Sequence, residues 1–194
     1  MDTPNSRIDP ADVVILFADL QAGIVELSKT NPISRLKPAV LALAKLAALF
    51  EMPVVVSGIM GEDGSAAKII PEIAQGFGEL PTHHRTTCDS FLNPAIVAVI
   101  EATGRKTLLI SGVATELAVQ LPALTASDLG YKVYAVLDAC GGMSERTEQA
   151  ALLRMAKAGA TTVSIMTLAG EIAGDFSDPK AQHSIGIVYE MATG

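Results

Sequence analysis

The chain predicts a doubly wound α/β fold, a six-stranded parallel sheet in the order 3-2-1-4-5-6 with helices on both faces. Three observations carry the prediction. Short apolar runs alternate with segments of helical period, the pattern of a parallel sheet covered on both sides. Gly104, Gly130 and Gly159 stand where helices end and a left-handed conformation favours glycine. The 194 residues are 49% hydrophobic and 18% charged, which suits one large core and one domain spanning 1–194.

The elements follow in order. The first strand is the apolar run Val13 to Phe17 and the second is Pro53 to Ser57. Between them, Leu36 to Phe50 repeats apolar residues every three or four positions, as a helix against a sheet does. A weaker run, Leu80 to His84, gives the third strand, and Pro94 to Ala102 the next helix. Thr107 to Ser111 is the fourth strand, followed by a helix over Ala118 to Leu129. Lys132 to Leu137 is the fifth strand, Ser144 to Ala158 a helix, and Thr161 to Ile165 the sixth strand. Residues 174–194 lack a regular pattern and are expected to form a C-terminal arm lying on a neighbouring subunit. There is no internal repeat and no low-complexity tract.

Charge and composition narrow the partners. A formal charge of −7, without any Lys/Arg-rich run, argues against nucleic acid or an anionic membrane and favours a small-molecule ligand. No apolar run approaches the ~20 residues that span a bilayer, and the opening MDTPNSRIDPADVV has no basic region followed by an apolar stretch, so the expected location is cytoplasmic. Cys88 and Cys140 lie far apart without metal-type spacing, which implies neither a disulfide framework nor a zinc site. No cofactor is indicated.

Doubly wound, Rossmann-like sheets bind ligands outside the carboxyl ends of their strands, at the switch point between the first and fourth strands. Three chemically relevant places fall there: Asp19 after the first strand, Arg85 after the third, and the turn from Gly112 to Ala118 after the fourth. Asp19 ends the apolar run in LFADLQAG, where an ionised carboxylate is costly unless paired or used, so its pKa should be perturbed. It reads either as a general acid or base or as a turn-capping acid. Arg85, in THHRTTCDSF, stays protonated and offers a planar fork of donors. It can hold Asp19 ionised and orient a carbonyl but cannot transfer a proton; its alternative reading is a solvated surface arginine. His83 and His84 are adjacent, so at most one can reach the crevice. Small residues in Gly112-Val113-Ala114-Thr115-Glu116 let backbone N–H groups approach a ligand, and a helix N-terminus adds a favourable field for negative charge. Pro122 places the first turn of that helix close to Leu117 to Val119.

The run LLISGVATELAV, Leu108 to Val119, resembles the signature of the isochorismatase-like cysteine hydrolase superfamily. The resemblance implies that Asp19, in Asp19-Leu20-Gln21, is the catalytic acid/base. It also implies that Arg85, six residues before Phe91, takes the place of the usual lysine, as in an arginine-bearing branch whose members assemble into homo-oligomers. It assigns Ala118 to the position of the cysteine nucleophile and places a cis peptide at Val113–Ala114. Val113, Ala114, Thr115 and Leu117, with Gln21 and Phe91, become the oxyanion and substrate-binding candidates. The metal-binding nicotinamidase branch carries histidines in the loop after the second strand. Here that loop reads SGIMGEDGSAAK, and Glu62 and Asp63 alone do not suit zinc. Cys88 and Cys140 are the other thiols, but neither begins the helix after the turn.

Three readings follow. The first is a hydrolase of an amide-type C–N bond in a small molecule, its covalent step closed at Ala118 by nature or by design. The second is a cysteine-independent hydrolase of a vinyl ether of isochorismate type, which needs only the aspartate as a proton donor. The third is a non-catalytic member that binds a ligand or serves in an assembly.

Overall fold

Val13–Ala18 (β1) and Thr107–Gly112 (β4) are buried at every residue, as central parallel strands covered on both faces must be. In the computed structural model, which describes residues 7–61 and 63–193, they lie at the middle of one sheet. The other strands are Val54–Ile59 (β2), Thr82–Arg85 (β3), Lys132–Val136 (β5) and Thr161–Val163 (β6). All neighbours are parallel and the order is β3-β2-β1-β4-β5-β6, the fold class and order read from the sequence.

Alternate residues of β1 serve different faces. Ile15 and Phe17 pack with Leu36 and Leu43 of α1 (Ile33–Leu49) and Leu168 of α6 (Ile165–Ala173). Val14 and Leu16 pack with Ile96 and Ile100 of α3 (Pro94–Ala102), Ala123 of α4 (Gln120–Asp128) and Met155 of α5 (Glu145–Lys157). Gly104, Gly130 and Gly159 take φ of 70°, 84° and 91° just after α3, α4 and α5, the helix-ending geometry expected of them.

Several boundaries differ from the sequence reading, for local reasons. The sixth strand stops at Val163, because the Ser164 side chain accepts from the Thr167 N–H and caps α6. Ile165 therefore opens a helix instead of ending a strand. Leu137 lies past the end of β5, in a short 3-10 turn with Asp138 and Ala139. A seven-residue helix, α2 (Pro71–Phe77), is too short to leave a clear period in the sequence. The helix expected over Ala118 to Leu129 begins as a π-helical turn, Thr115–Val119, and continues as α4 with Pro122 in its first turn. The tail is corrected most. Instead of lacking regular structure, Pro179–Thr193 forms α7, whose buried Ala181, Ser184, Ile187 and Val188 recur at helical spacing. Its apolar face packs on α1 and α6 of the same chain.

Register sets the ends of β1 and β4 level and carries the end of β3 two residues further along. Ala18 pairs with Ser57 of β2 on one side and with Gly112 of β4 on the other, while Ile59 pairs with Arg85 of β3. A Cβ at Gly112 would run into the Ala18 carbonyl oxygen, so only glycine allows this approach. Among the described residues no helix is long and apolar enough to cross a membrane.

Candidate active site

Asp19 leaves β1 in the left-handed region, φ 55°, with its N–H donating to the Ser57 carbonyl at 3.1 Å. A non-glycine residue takes that conformation only where its surroundings hold it, and aspartate tolerates it better than most. Arg85 is the last residue of β3. The two side chains are almost wholly buried, and Arg85 Nη2 donates to Asp19 Oδ2 at 2.5 Å. Arg85 Nη1 donates to the Thr87 carbonyl. Asp19 Oδ1 and Arg85 Nε are buried and lack a partner among the described residues. One buried pair thus keeps an acceptor and a donor in reserve.

Burial pushes the Asp19 carboxyl up, while the charge and the hydrogen bond of Arg85 pull it down; burial wins and the net shift is upward. The result is a carboxylate with an increased tendency to take and return a proton, beside a cation that does neither.

The turn after β4 contains the cis Val113–Ala114 peptide. Its donors are more committed than the sequence suggested. The Val113 N–H donates to the Ala18 carbonyl at 3.4 Å, Thr115 to Gly141 at 3.0 Å and Leu117 to Ala114 at 3.0 Å. Of the four turn residues singled out from the sequence, only Ala114 has an N–H without a partner among the described residues. The Leu117 side chain is about half exposed. Ala118 begins the passage into α4, its N–H donating to the Ala114 carbonyl at 2.9 Å, and its methyl is buried in one cluster with Ala18 and Phe91. Side chains fasten the turn to α5. The Thr115 hydroxyl donates to Glu148 Oε1 at 2.7 Å, and the Glu116 carboxylate accepts from the Thr147 hydroxyl at 2.6 Å.

Gln21 and Phe91 have structural employment. Gln21 Oε1 accepts from the Ile59 N–H at 2.8 Å and its Nε2 donates to the Ile59 carbonyl at 3.0 Å, so the amide is zipped to the end of β2. Phe91 is buried edge-to-face on Tyr131 with centroids 5.7 Å apart. His83 is half-buried and His84 exposed. Cys88 is exposed; Cys140 is buried, and burial pushes its thiol up to about 12, where it is inert. Asp63 is exposed and turned onto the Ser65 N–H at 2.9 Å, while Glu62 lies outside the described residues.

Sequence reasoning missed Asp89 and Thr125. Asp89 Oδ1 accepts from the Phe91 N–H at 2.8 Å, and Oδ2 accepts from the Thr125 hydroxyl at 2.6 Å. An aspartate two residues before an aromatic is a legible cap signal, but its bond to a threonine 36 positions away leaves no mark in the sequence.

Comparison with known proteins gives this arrangement a family. Residues 13–167 match the family model described as Isochorismatase domain. The chain belongs to the isochorismatase family. A probable hydrolase, YcaC, of Escherichia coli (strain K12) is 34% identical over 177 residues, 91% of this chain and 85% of that protein. The E. coli YcaC crystal structure, described as an octameric hydrolase of unknown specificity, aligns with a TM-score of 0.85 at 32% identity, covering 97% of this chain and 90% of that one. YcaC from Pseudomonas aeruginosa, solved with hexane-2,5-diol and covalent acrylamide, gives a TM-score of 0.88 at 31% identity, covering 98% and 96%. This isochorismatase-family hydrolase therefore carries its buried Asp19–Arg85 pair at the switch point of the sheet.

Proposed function

We propose that the protein is built to hydrolyse an amide-type C–N bond of a small molecule, and that Ala118 occupies the place of its nucleophile. The observation that carries this reading is the buried Asp19–Arg85 pair, whose Oδ1 and Nε have no partner among the described residues, set at neighbouring strand ends with the Ala114 N–H, which likewise has none there. Each group has a part in acyl transfer. With a thiol at position 118, Asp19 takes its proton and the sulfur attacks the carbonyl carbon. The Ala114 N–H receives the oxyanion. Asp19 then gives the proton to the leaving nitrogen as the C–N bond breaks, and water, deprotonated by Asp19, releases the acid and restores the thiol. A carboxyl raised by burial suits both directions of transfer, and Arg85 holds the charge in place throughout.

A methyl group has no electron pair to offer. With Ala118 the covalent route is closed, and turnover by it should fall by about 10⁶-fold, the scale on which removing a nucleophile disables a catalytic unit. Converting Ala118→Cys and screening small amides for ammonia or amine release tests the assignment. Activity that disappears in a second change, Asp19→Asn, supports it; an inert protein across a broad panel counts against it.

One observation favours a second reading. A carboxyl with a raised pKa can protonate a substrate without any nucleophile, which suits a vinyl ether of isochorismate type. Pyruvate release from isochorismate by the chain carrying Ala118 would establish that reaction in place of the first. If Asp19→Asn and Arg85→Ala leave every ligand affinity unchanged, a ligand-binding or assembly role away from the crevice gains instead.

Assembly into a homo-oligomer belongs to the same proposal. The octameric E. coli relative supports it, as do Leu117, Leu129 and Leu153, large apolar side chains exposed on the single chain. Sedimentation equilibrium giving a monomer mass would refute it.

A further inference from the structure

The acid–cation pair and position 118 reach the crevice on different pieces of chain. Arg85 comes from the end of β3 and continues into the loop 86–89; position 118 comes from the turn that feeds α4. Apolar packing joins the two pieces, with Phe91 and Ala118 in one buried cluster, but carries no directional bond, and a misplacement of about 1 Å at a reacting centre can cost 10²-fold in rate. A directional bond between them has to come from polar groups.

One continuous set of hydrogen bonds supplies it. Arg85 Nη1 donates to the Thr87 carbonyl. The Thr87 hydroxyl donates to the Asp89 carbonyl at 2.7 Å. The Asp89 carboxylate then splits its two oxygens between two elements, Oδ1 accepting from the Phe91 N–H at 2.8 Å and Oδ2 from the Thr125 hydroxyl of α4 at 2.6 Å. Asp89 is only 6% exposed, and among the described residues no cation pairs with it. A buried carboxylate satisfied by neutral donors alone is an expensive way to cap a short turn, since asparagine caps as well without a charge. An asparagine could also span both partners, by donating its NH₂ to the hydroxyl oxygen, but the carboxylate accepts on both arms and makes two charge-assisted bonds, each about twice as strong as a neutral one. The second acceptor is the one that reaches Thr125, seven residues and about two turns beyond position 118.

We infer that Asp89 and Thr125 are positioning residues that rivet the Arg85 loop to α4 and thereby set the Asp19–Arg85 pair against position 118. The inference rests on the reading of those three positions as the working site, and its test separates the two. In the Ala118→Cys protein, alkylation of the introduced thiol by acrylamide is followed from pH 5 to 9 by mass spectrometry of the peptide containing position 118. If the site is as proposed, alkylation near pH 6 outpaces that of an ordinary thiol titrating at about 8.5, and Asp19→Asn removes the advantage. Adding Thr125→Val, which keeps shape and loses the hydroxyl, should then lower the rate at pH 6 by about tenfold or more and move the profile toward the ordinary thiol. Thr125→Ser, which keeps the hydroxyl, should restore it. Asp89→Ser, which keeps a cap for the Phe91 N–H but has no second oxygen for Thr125, should behave like Thr125→Val, and it serves in its place if that variant does not fold. A purely structural role would lower the melting temperature in Thr125→Val and leave the pH profile where it was; that result overturns the rivet while the site reading stands. A thiol that behaves as ordinary and ignores Asp19→Asn overturns the site reading, and the rivet with it.

Discussion

Replacing Arg85 with methionine removes the cation from a pair whose side chains are 1% and 9% exposed, and leaves Asp19 buried with nothing to offset its charge. Removing one partner of a buried ion pair costs about 3–5 kcal/mol, and the Thr87 carbonyl loses its donor for about 1 kcal/mol more. Packing by the methionine side chain returns part of this, so a net loss of about 3–5 kcal/mol at neutral pH is expected. For a chain of this length that is a fall of about 6–20 °C in melting temperature. The pH dependence has a definite sign. Burial already raises Asp19 above its ordinary 3.8 with Arg85 present, and it must rise further without it. A folded carboxyl with a raised pKa is least costly while protonated, so its penalty is absent below the ordinary carboxylate range and develops as pH rises through the folded pKa. In the parent, lowering the pH instead strips Arg85 of its counter-charge. The deficit of Arg85→Met should therefore be largest at pH 7.5 and shrink toward pH 4. Urea unfolding at both pH values, at one protein concentration, measures it. A deficit below about 1 kcal/mol, or one that does not change with pH, would refute the buried-pair account.

Three further outcomes are expected. Gly112→Ala should destabilise by about 1–3 kcal/mol or prevent folding, because its Cβ meets the Ala18 carbonyl; chemical denaturation reads it. In a thiol titration near pH 8 the native protein should show one accessible group, Cys88, and two after unfolding, because Cys140 is buried with its thiol pushed up to about 12. Ser164→Ala should cost about 1 kcal/mol by removing the cap of α6, visible as a lowered denaturation midpoint.

Much of the fold was legible because its signals are local. The inner strands announce themselves as apolar runs, whereas β3, Thr82–Arg85, holds no apolar residue and shows only as a weaker run, and the helix-ending glycines mark where α3, α4 and α5 stop. What escaped is short or masked. Thr161 to Ile165 reads as one run until Ser164 is seen to cap a helix, and α7 hides its buried stripe among polar residues and Gly186. The candidate site divides the same way. Asp19 and Arg85 could be located from strand ends and the switch-point rule alone. The contacts of Gln21 and Phe91 could not, since a polar or aromatic side chain near a crevice reads equally well as a ligand contact or as a brace, and the bonds that hold these two, to Ile59 and against Tyr131, form only in the finished fold. Long-range pairs such as Asp89 with Thr125 depend on the finished fold and leave no periodicity to find.

The central claim is that the crevice lacks only a nucleophile. Its most direct test is amide hydrolysis by the Ala118→Cys protein, measured beside the same protein carrying Asp19→Asn. The account predicts product release in the first, and loss of about 10²–10⁴-fold in the second as its acid/base is removed. Silence from both across a broad panel, with the introduced thiol no more reactive than a free one, would contradict it.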